Sequence, residues 1–384
     1  MFWPAGASPA PVTIYFDRSG SVAGFLDPRY QRESTDYRAV IGAIIASLSP
    51  ATGYFFGSVI TPVDVSEGVL GDRGQYQDRN TNVEQVMDSV AAQASPRRSH
   101  IMIGDGRRSD PNVANTQYVR MRREAERWID LGGTFLVAAS FAPFYPVGND
   151  ASGCRTAEEG RAETGRCPLY AFAFAARGDE SRIAEALARV FQHLFVWPTP
   201  TLPPGIVSYV AIQSSDGLEY DGGWTTSAWG AQIARVRSTN PGNTMVTVRM
   251  TVSDSASGMG RVANALLRSQ IREVSVATKM LDTAAVAQPW VPATSSAAPV
   301  RPANDGGRER QAVSLQVVSR GPGPNPALYR VDVLPRGEPV WREQYEARNS
   351  SDAVRTFGLG RLFEAFVARE RRAVPMTRAF VVTQ

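Results

Sequence analysis

The sequence predicts an α/β protein: a doubly wound, mostly parallel sheet over residues 10–196, followed by a β-rich, sandwich-like domain with a C-terminal helix. In the first part, short continuous apolar runs typical of buried strands alternate with amphipathic helical stripes. In the second part, shorter strand-like runs follow one another between turn residues. The two rhythms predict two domains within the 384 residues.

Apolar runs predict the strands of the first domain, and helical spacing predicts its helices. The strand-like runs are 12–16, 53–60, 100–103, 134–140 and 168–175. The helix-like stretches are 37–48, 82–94, 116–130 and 179–195. Within 37–48, for example, Val40, Ile44 and Leu48 recur on one helical stripe. Because a doubly wound sheet binds ligands beyond the carboxyl ends of its strands, residues that follow these strands are site candidates.

A stiff segment separates the two domains. Residues 197–205 hold four prolines and a glycine, which favour an extended linker. The β-rich domain is predicted over 206–384, with an amphipathic helix at about 358–371 and a low-complexity stretch at 286–310 that we expect to be a mobile loop. Whether 206–384 forms one domain or two stays open.

Charge gives little sign of a nucleic-acid partner. The net charge is +4, and Lys279 is the only lysine, which is a bias typical of a high-GC, bacterial genome. Arginines are scattered and alternate with acidic residues, as in 120–127, which is typical of solvated helix faces. Since no common nucleic-acid-binding motif is visible, we do not expect such a partner.

Compartment signals are equally sparse. The chain has no apolar run of about 18 residues, so no membrane-spanning helix is expected. The N-terminal "MFWPAGASPAPV" lacks the basic and apolar regions of an intact signal peptide, although a trimmed one stays open. Cys154 and Cys167 flank a short polar loop that a disulfide would close in an oxidising compartment. Because nothing signals export, we favour free thiols and a cytoplasmic protein.

Three polar segments meet at the expected top edge of the sheet. They are "DRSGS" (17–21), "RNTNVEQV" (79–86) and "IMIGDGRRS" (101–109). Together they supply two carboxylates and three hydroxyls, with no histidine or cysteine: Asp17, Ser19, Ser21, Thr81 and Asp105. All-oxygen sets suit a hard cation, so we expect Mg²⁺ first, with Mn²⁺ or Ca²⁺ as alternatives.

These segments resemble the metal-ion-dependent adhesion site of the von Willebrand factor A domain. The resemblance lies in a strand that ends in Asp-x-Ser-x-Ser, a later Thr before a helix, and an Asp-Gly after another strand. It covers about residues 10–196 and implies that Ser19, Ser21 and Thr81 supply hydroxyl ligands. Asp17 and Asp105 would then act directly or through water. Gly104 departs from the family, where a Thr or Ser frequently precedes the Asp.

Each of these residues also has a purely local interpretation, and other chemistries fit less well. Asp17 favours a turn, and Thr81 precedes a helix that Asn80 or Thr81 would cap. A haloacid-dehalogenase site needs an Asp where Ser19 stands, and a receiver domain needs a late lysine within the fold. "DRSG" lacks the spacing of an aspartic protease, and neither a Walker A loop nor a G-x-S-x-G elbow is present.

The resemblance implies a non-catalytic binding protein. Its cation would coordinate an acidic residue of a protein partner, and the β-rich half would add a contact surface or an assembly module. Members of this family often serve in multiprotein assemblies, some with ATPase partners. Two other interpretations stay open: a metal-dependent hydrolase that uses the same cluster, and a structural subunit with a vestigial site.

Overall fold

The computed structural model describes the chain over residues 9–26, 36–50, 52–106, 111–144, 165–202, 207–212, 218–220, 225–226, 232–238, 245–252, 258–280, 291–292, 312–318, 327–347 and 355–383. The α-helices are α1 Tyr37–Leu48, α2 Glu67–Leu70, α3 Val83–Ala91, α4 Pro111–Asp130, α5 Glu180–Val190, α6 Gly258–Gln270, α7 Arg342–Tyr345 and α8 Gly360–Arg369. The first strands are β1 Val12–Asp17, β2 Thr52–Phe56, β3 Ile60–Val63, β4 Ser99–Gly104, β5 Thr134–Phe144, β6 Gly165–Ala175, β7 His193–Trp197, β8 Val207–Ile212 and β9 Leu218–Tyr220. The later strands are β10 Thr225–Thr226, β11 Gln232–Ser238, β12 Met245–Val252, β13 Ile271–Met280, β14 Val291–Pro292, β15 Ala312–Val318, β16 Ala327–Pro335 and β17 Thr377–Thr383.

The chain forms two compact units, and each unit consists of two segments that are separate in the sequence. One unit joins Met1–Pro198 with Gly337–Arg369, and the other joins Thr199–Arg336 with Glu370–Gln384. The C-terminal helix, α8, therefore belongs to the first unit, whereas the sequence analysis assigned it to the β-rich domain. Its amphipathic stripe predicts a buried face but does not identify the surface that covers it.

The first unit is a mixed α/β structure built on one seven-stranded sheet. The strand order is β3-β2-β1-β4-β6-β5-β7. Strand β1 runs parallel to β2 and β4, but the other four pairings are antiparallel. The α/β class is confirmed, and the prediction of a mostly parallel sheet is wrong. Continuous apolar runs show that strands are buried without giving their direction, and β6 returns as a hairpin partner of β5.

The end of this unit also differs from the sequence prediction. The helix expected over 179–195 ends at Val190, and His193–Trp197 forms strand β7 beside β5 instead. Phe191 and Leu194 fit a helical stripe, but the aromatic and β-branched run that follows favours a strand. His193 thus lies on a strand rather than in a helix.

The helices of the first unit form two packed groups. Helix α1 packs against α5, and α4 packs against both α3 and α8. Phe366 of α8 lies among the rings of Phe135, Phe195 and Trp197, with centroid separations of 5.9, 5.8 and 5.8 Å. The returning segment 337–369 thus completes the aromatic core of the first unit over β5 and β7.

The second unit contains two sheets and helix α6. One sheet has the order β10-β11-β17-β16-β13-β14, with β9 beside β11, and the other has the order β15-β12-β8. The β-rich character agrees with the sequence prediction, although α6 was not foreseen. Apart from Val291–Pro292, the stretch 286–310 lies outside the described residues.

Two smaller findings concern the compartment signals. None of the helices in the described ranges combines the length and apolar character that crossing a bilayer requires. Cys167 on β6 is disulfide-bonded, whereas the sequence analysis favoured a free thiol there. The loop spacing permits either state, and Cys154 lies outside the described residues.

Candidate functional site

The site lies at the carboxyl ends of the two parallel strands β1 and β4. Asp17 is the last residue of β1, and Asp105 directly follows β4. Both side chains are buried, at 1% exposure each. Because β1 and β4 are parallel neighbours, their carboxyl ends meet at one edge, and this register brings the two acidic positions to the same end of the sheet.

A tight turn holds the hydroxyls after β1. The backbone N–H of Ser19 donates to Oδ1 of Asp17 at 2.8 Å, which is the local turn that Asp favours. The Oγ atoms of Ser19 and Ser21 lie 3.0 Å apart and share a hydrogen bond. The next residues continue as a 3-10 helix, Val22–Leu26, which fixes the exit of the turn. Three oxygen-bearing side chains therefore stand on one short, ordered loop.

The segment that carries Thr81 is bound to this loop by contacts of Asp78 with Arg18 and Gly20. We call these contacts the clasp; the sequence analysis missed them. The backbone of Asp78 donates to the carbonyl of Arg18 at 3.2 Å and accepts from the N–H of Gly20 at 2.9 Å. The side chain of Asp78 pairs with Nε of Arg18 at 3.0 Å. On the far side of Thr81, the N–H of Asn82 donates to the carbonyl of Gly57 at 2.9 Å. Thr81 is thereby held in place and is buried.

Asp17 and Thr81 line one small cavity, although 64 positions separate them in the sequence. Its other lining residues are Phe56, Val83, Met102, Gly104, Gly106, Gln117 and Phe172. Asp105 stands between the two lining glycines. The cavity volume is about 10 Å³, which is close to the space that one water molecule needs. The serine hydroxyls are not part of this lining; their turn is linked to the site by the hydrogen bond from the backbone N–H of Ser19 to Asp17.

The glycines on both sides of Asp105 leave space for neighbouring side chains, because a Cβ atom at either position would collide with them. A Cβ atom at Gly104 would lie 2.8 Å from Cβ of Asp17. Gly106 has a φ of +65°, a conformation that favours glycine, and its carbonyl accepts a hydrogen bond from the Tyr118 hydroxyl at 2.7 Å. The conformation of residues 104–106 therefore depends on the two glycines, and a hydrogen bond from Tyr118 connects this loop to α4.

Two buried tyrosines, Tyr37 and Tyr170, lie near the site carboxylates. Burial raises the pKa of Tyr37 well above its usual value, and the charges of Asp17 and Asp105 add to the rise. Burial likewise raises the pKa of Tyr170, with a smaller contribution from Asp105. Tyr37 therefore lies near both carboxylates.

Comparison with known proteins gives no further guide. The chain matches no protein family, no curated protein and no solved structure. Its function is therefore inferred from the geometry of the site.

The donor set is compatible with a hard cation. Two carboxylates balance a divalent charge, and the hydroxyl oxygens add neutral donors. Among the described residues, no three His, Cys, Asp or Glu side chains converge as metal ligands would. The proposed set holds only two such residues, because its remaining donors are hydroxyls. Gln117, which also faces the cavity, escaped the sequence analysis because a single Gln within a helix gives no motif.

Proposed function

We propose that the chain is a non-catalytic protein-interaction subunit whose first unit carries a von Willebrand factor A-type cation site. Asp17, Ser19, Ser21, Thr81 and Asp105 would hold the cation, with Mg²⁺ as the first expectation. The observation that carries this proposal is the cavity that Asp17 and Thr81 share beside the glycine-flanked Asp105.

The strand arrangement around the site supports the same assignment. Strands β2, β1 and β4 are adjacent and parallel, and the short β3 runs antiparallel at the edge. The two acidic residues and the hydroxyl loop all follow strands of this parallel core. The later strands β6, β5 and β7 alternate in direction, so the proposal rests on this parallel core and not on a doubly wound arrangement of the whole sheet.

A bound divalent cation would supply a strong, directional contact for a carboxylate from a partner protein. The two site carboxylates roughly cancel its charge, so a third, incoming carboxylate would meet a neutral or weakly positive centre. The chain's own residues would orient this contact, because the turn at 17–21 and the clasp at Asp78 fix the hydroxyls. We propose that the partner belongs to a multiprotein assembly, in which an ATPase subunit is one candidate, and that the second unit adds a further contact surface.

Calorimetric titration of Mg²⁺ tests the proposal directly. Wild-type protein should bind Mg²⁺ saturably, Asp17→Ala should lose this binding, and Asp88→Ala should retain it because Asp88 lies on the exposed face of α3 and pairs with Arg120. Absence of saturable binding by wild type at millimolar Mg²⁺ would overturn the cation site.

Two further measurements separate the alternatives. Partner capture from a cell extract should fall on chelation and in Asp17→Ala if the site binds a carboxylate. Turnover of a phosphoester or a peptide that Asp17→Ala abolishes would instead favour a metal-dependent hydrolase. Partner capture that is unaffected by both changes would favour a structural subunit.

A further inference from the structure

Gln117 is a buried amide that faces the same cavity as Asp17 and Thr81. It lies in the second turn of α4 and is 2% exposed, although it is a long polar side chain. Of the side chains that line the cavity, only those of Asp17, Thr81 and Gln117 carry nitrogen or oxygen, and the rest of the wall is apolar side chains and glycine. Two of these three already belong to the proposed cation site.

The helix that carries Gln117 is fixed to the site loop. The adjacent residue, Tyr118, is fully buried and donates its hydroxyl to the carbonyl of Gly106 at 2.7 Å. Further along α4, Nε1 of Trp128 donates to the carbonyl of Ala175 on β6 at 2.8 Å. These two bonds set the rotation of α4, so the direction of Gln117 is determined by the fold.

The amide suits a cation that two carboxylates already balance. A Gln side chain offers a neutral carbonyl oxygen and two N–H donors, whereas a Glu would add a third negative charge. Amide oxygens are ordinary ligands of hard cations, and groups that hold metal-bound water or ligand oxygens tune metal affinity strongly. A neutral donor leaves the site able to accept a carboxylate from outside.

We propose that Gln117 is a sixth oxygen donor of the cation site, which acts on the cation directly or through one water molecule and keeps the site's charge balanced. This inference rests on the proposed function. It adds a residue that neither the motif nor the family resemblance supplies, and it assigns to that residue a role in cation affinity.

Titration of Mg²⁺ into wild type, Gln117→Met and Gln117→Glu tests this role. Methionine keeps the length and volume but removes the amide, so the Kd for Mg²⁺ should rise about tenfold or more. Glutamate keeps the shape and adds a charge, so the Kd should fall. Gln270→Met is the matched control, because Gln270 is equally buried, at 0% exposure, but belongs to the other unit. It should leave the Kd unchanged.

Thermal unfolding with and without Mg²⁺ shows whether each variant is folded and whether the cation stabilises it. A folded Gln117→Met whose Kd lies within twofold of wild type would overturn the role of Gln117 while leaving the cation site intact. If Gln117→Met does not fold, the Glu variant decides, and a Kd that does not fall would overturn the inference. Wild type without saturable binding would overturn both the cation site and this role.

Discussion

Gly104 lies directly against the side chain of Asp17, so closely that a Cβ atom at position 104 would stand 2.8 Å from Cβ of Asp17 and 3.0 Å from its Oδ2. The residue that departs from the family pattern is thus the one whose smallness lets Asp17 keep its place. In this chain a Ser or Thr at position 104 would require Asp17 or the β4 backbone to move.

Gly104→Ala should weaken cation binding. The added methyl group displaces Asp17, so we expect the Kd for Mg²⁺ to rise at least tenfold and the free energy of unfolding to fall by about 1–3 kcal/mol. Gly68→Ala on α2 is the control, because a Cβ there meets nothing within 4 Å. It should leave the Kd unchanged. Unaltered Mg²⁺ affinity in Gly104→Ala would contradict the displacement of Asp17.

Asp78→Ala should loosen the loop that presents Thr81. The carboxylate of Asp78 forms a salt bridge with Nε of Arg18 at 3.0 Å and accepts a hydrogen bond from the N–H of Ser58 at 3.2 Å, and both interactions would be lost. The pair is partly exposed, so the loss of stability should be about 1 kcal/mol. The Kd for Mg²⁺ should rise, because the backbone bonds that place Thr81 remain but lose the side-chain contacts that support them. Calorimetry and denaturant unfolding measure the two effects.

Asp72→Ala is the matched control for that loop. Asp72 accepts from the N–H of Gly74 at 2.9 Å within an exposed 3-10 turn, and it does not line the cavity. Its removal should leave the Kd for Mg²⁺ unchanged. Equal effects of the two substitutions on the Kd would show that the side chain of Asp78 has no special role in cation binding.

The sequence predicts the acidic part of the site better than the rest. Asp17 and Asp105 each follow a continuous apolar run, and neighbouring parallel strands bring such positions to one edge. The approach of Thr81 depends on backbone bonds between Asp78 and the turn at 18–20, which no periodicity encodes. Residue types could suggest Thr81, but only the fold brings it to Asp17.

The sequence could not predict the direction of some strands or the surface against which α8 packs. The run at 168–175 is apolar, and an apolar run does not indicate the direction of its strand. Its antiparallel pairing with β4 and β5 therefore could not be deduced from hydrophobicity. In the same way, Phe363 and Phe366 predict a buried face on α8 but do not indicate which strands it packs against. Tertiary contacts decide both, and those of Phe366 join residues that are more than a hundred positions apart.

Phe366→Ala should destabilise the first unit. The ring packs against Phe135, Phe195 and Trp197, so its removal should cost about 3–5 kcal/mol. Hydrogen exchange should show amides of β5 and β7 losing protection. Val367→Ala is the control, since Val367 is 38% exposed and its truncation should change stability by about 0.5 kcal/mol or less. Unchanged protection of β5 and β7 in Phe366→Ala would contradict the placement of α8.

His100 should make the folded state sensitive to mild acid. The side chain lies on β4, and burial, with a smaller effect of Arg98, lowers the pKa of His100 from 6.5 to about 4. Between these values the unfolded chain binds the proton more readily, so stability is complete above pH 6.5 and is lost as the pH falls toward 4. Between pH 7.5 and 5.5 the loss should be about 1 kcal/mol. Denaturant unfolding at both pH values measures it, and His100→Gln should remove this component of the slope. A slope as steep in His100→Gln as in wild type would assign the acid sensitivity to other groups.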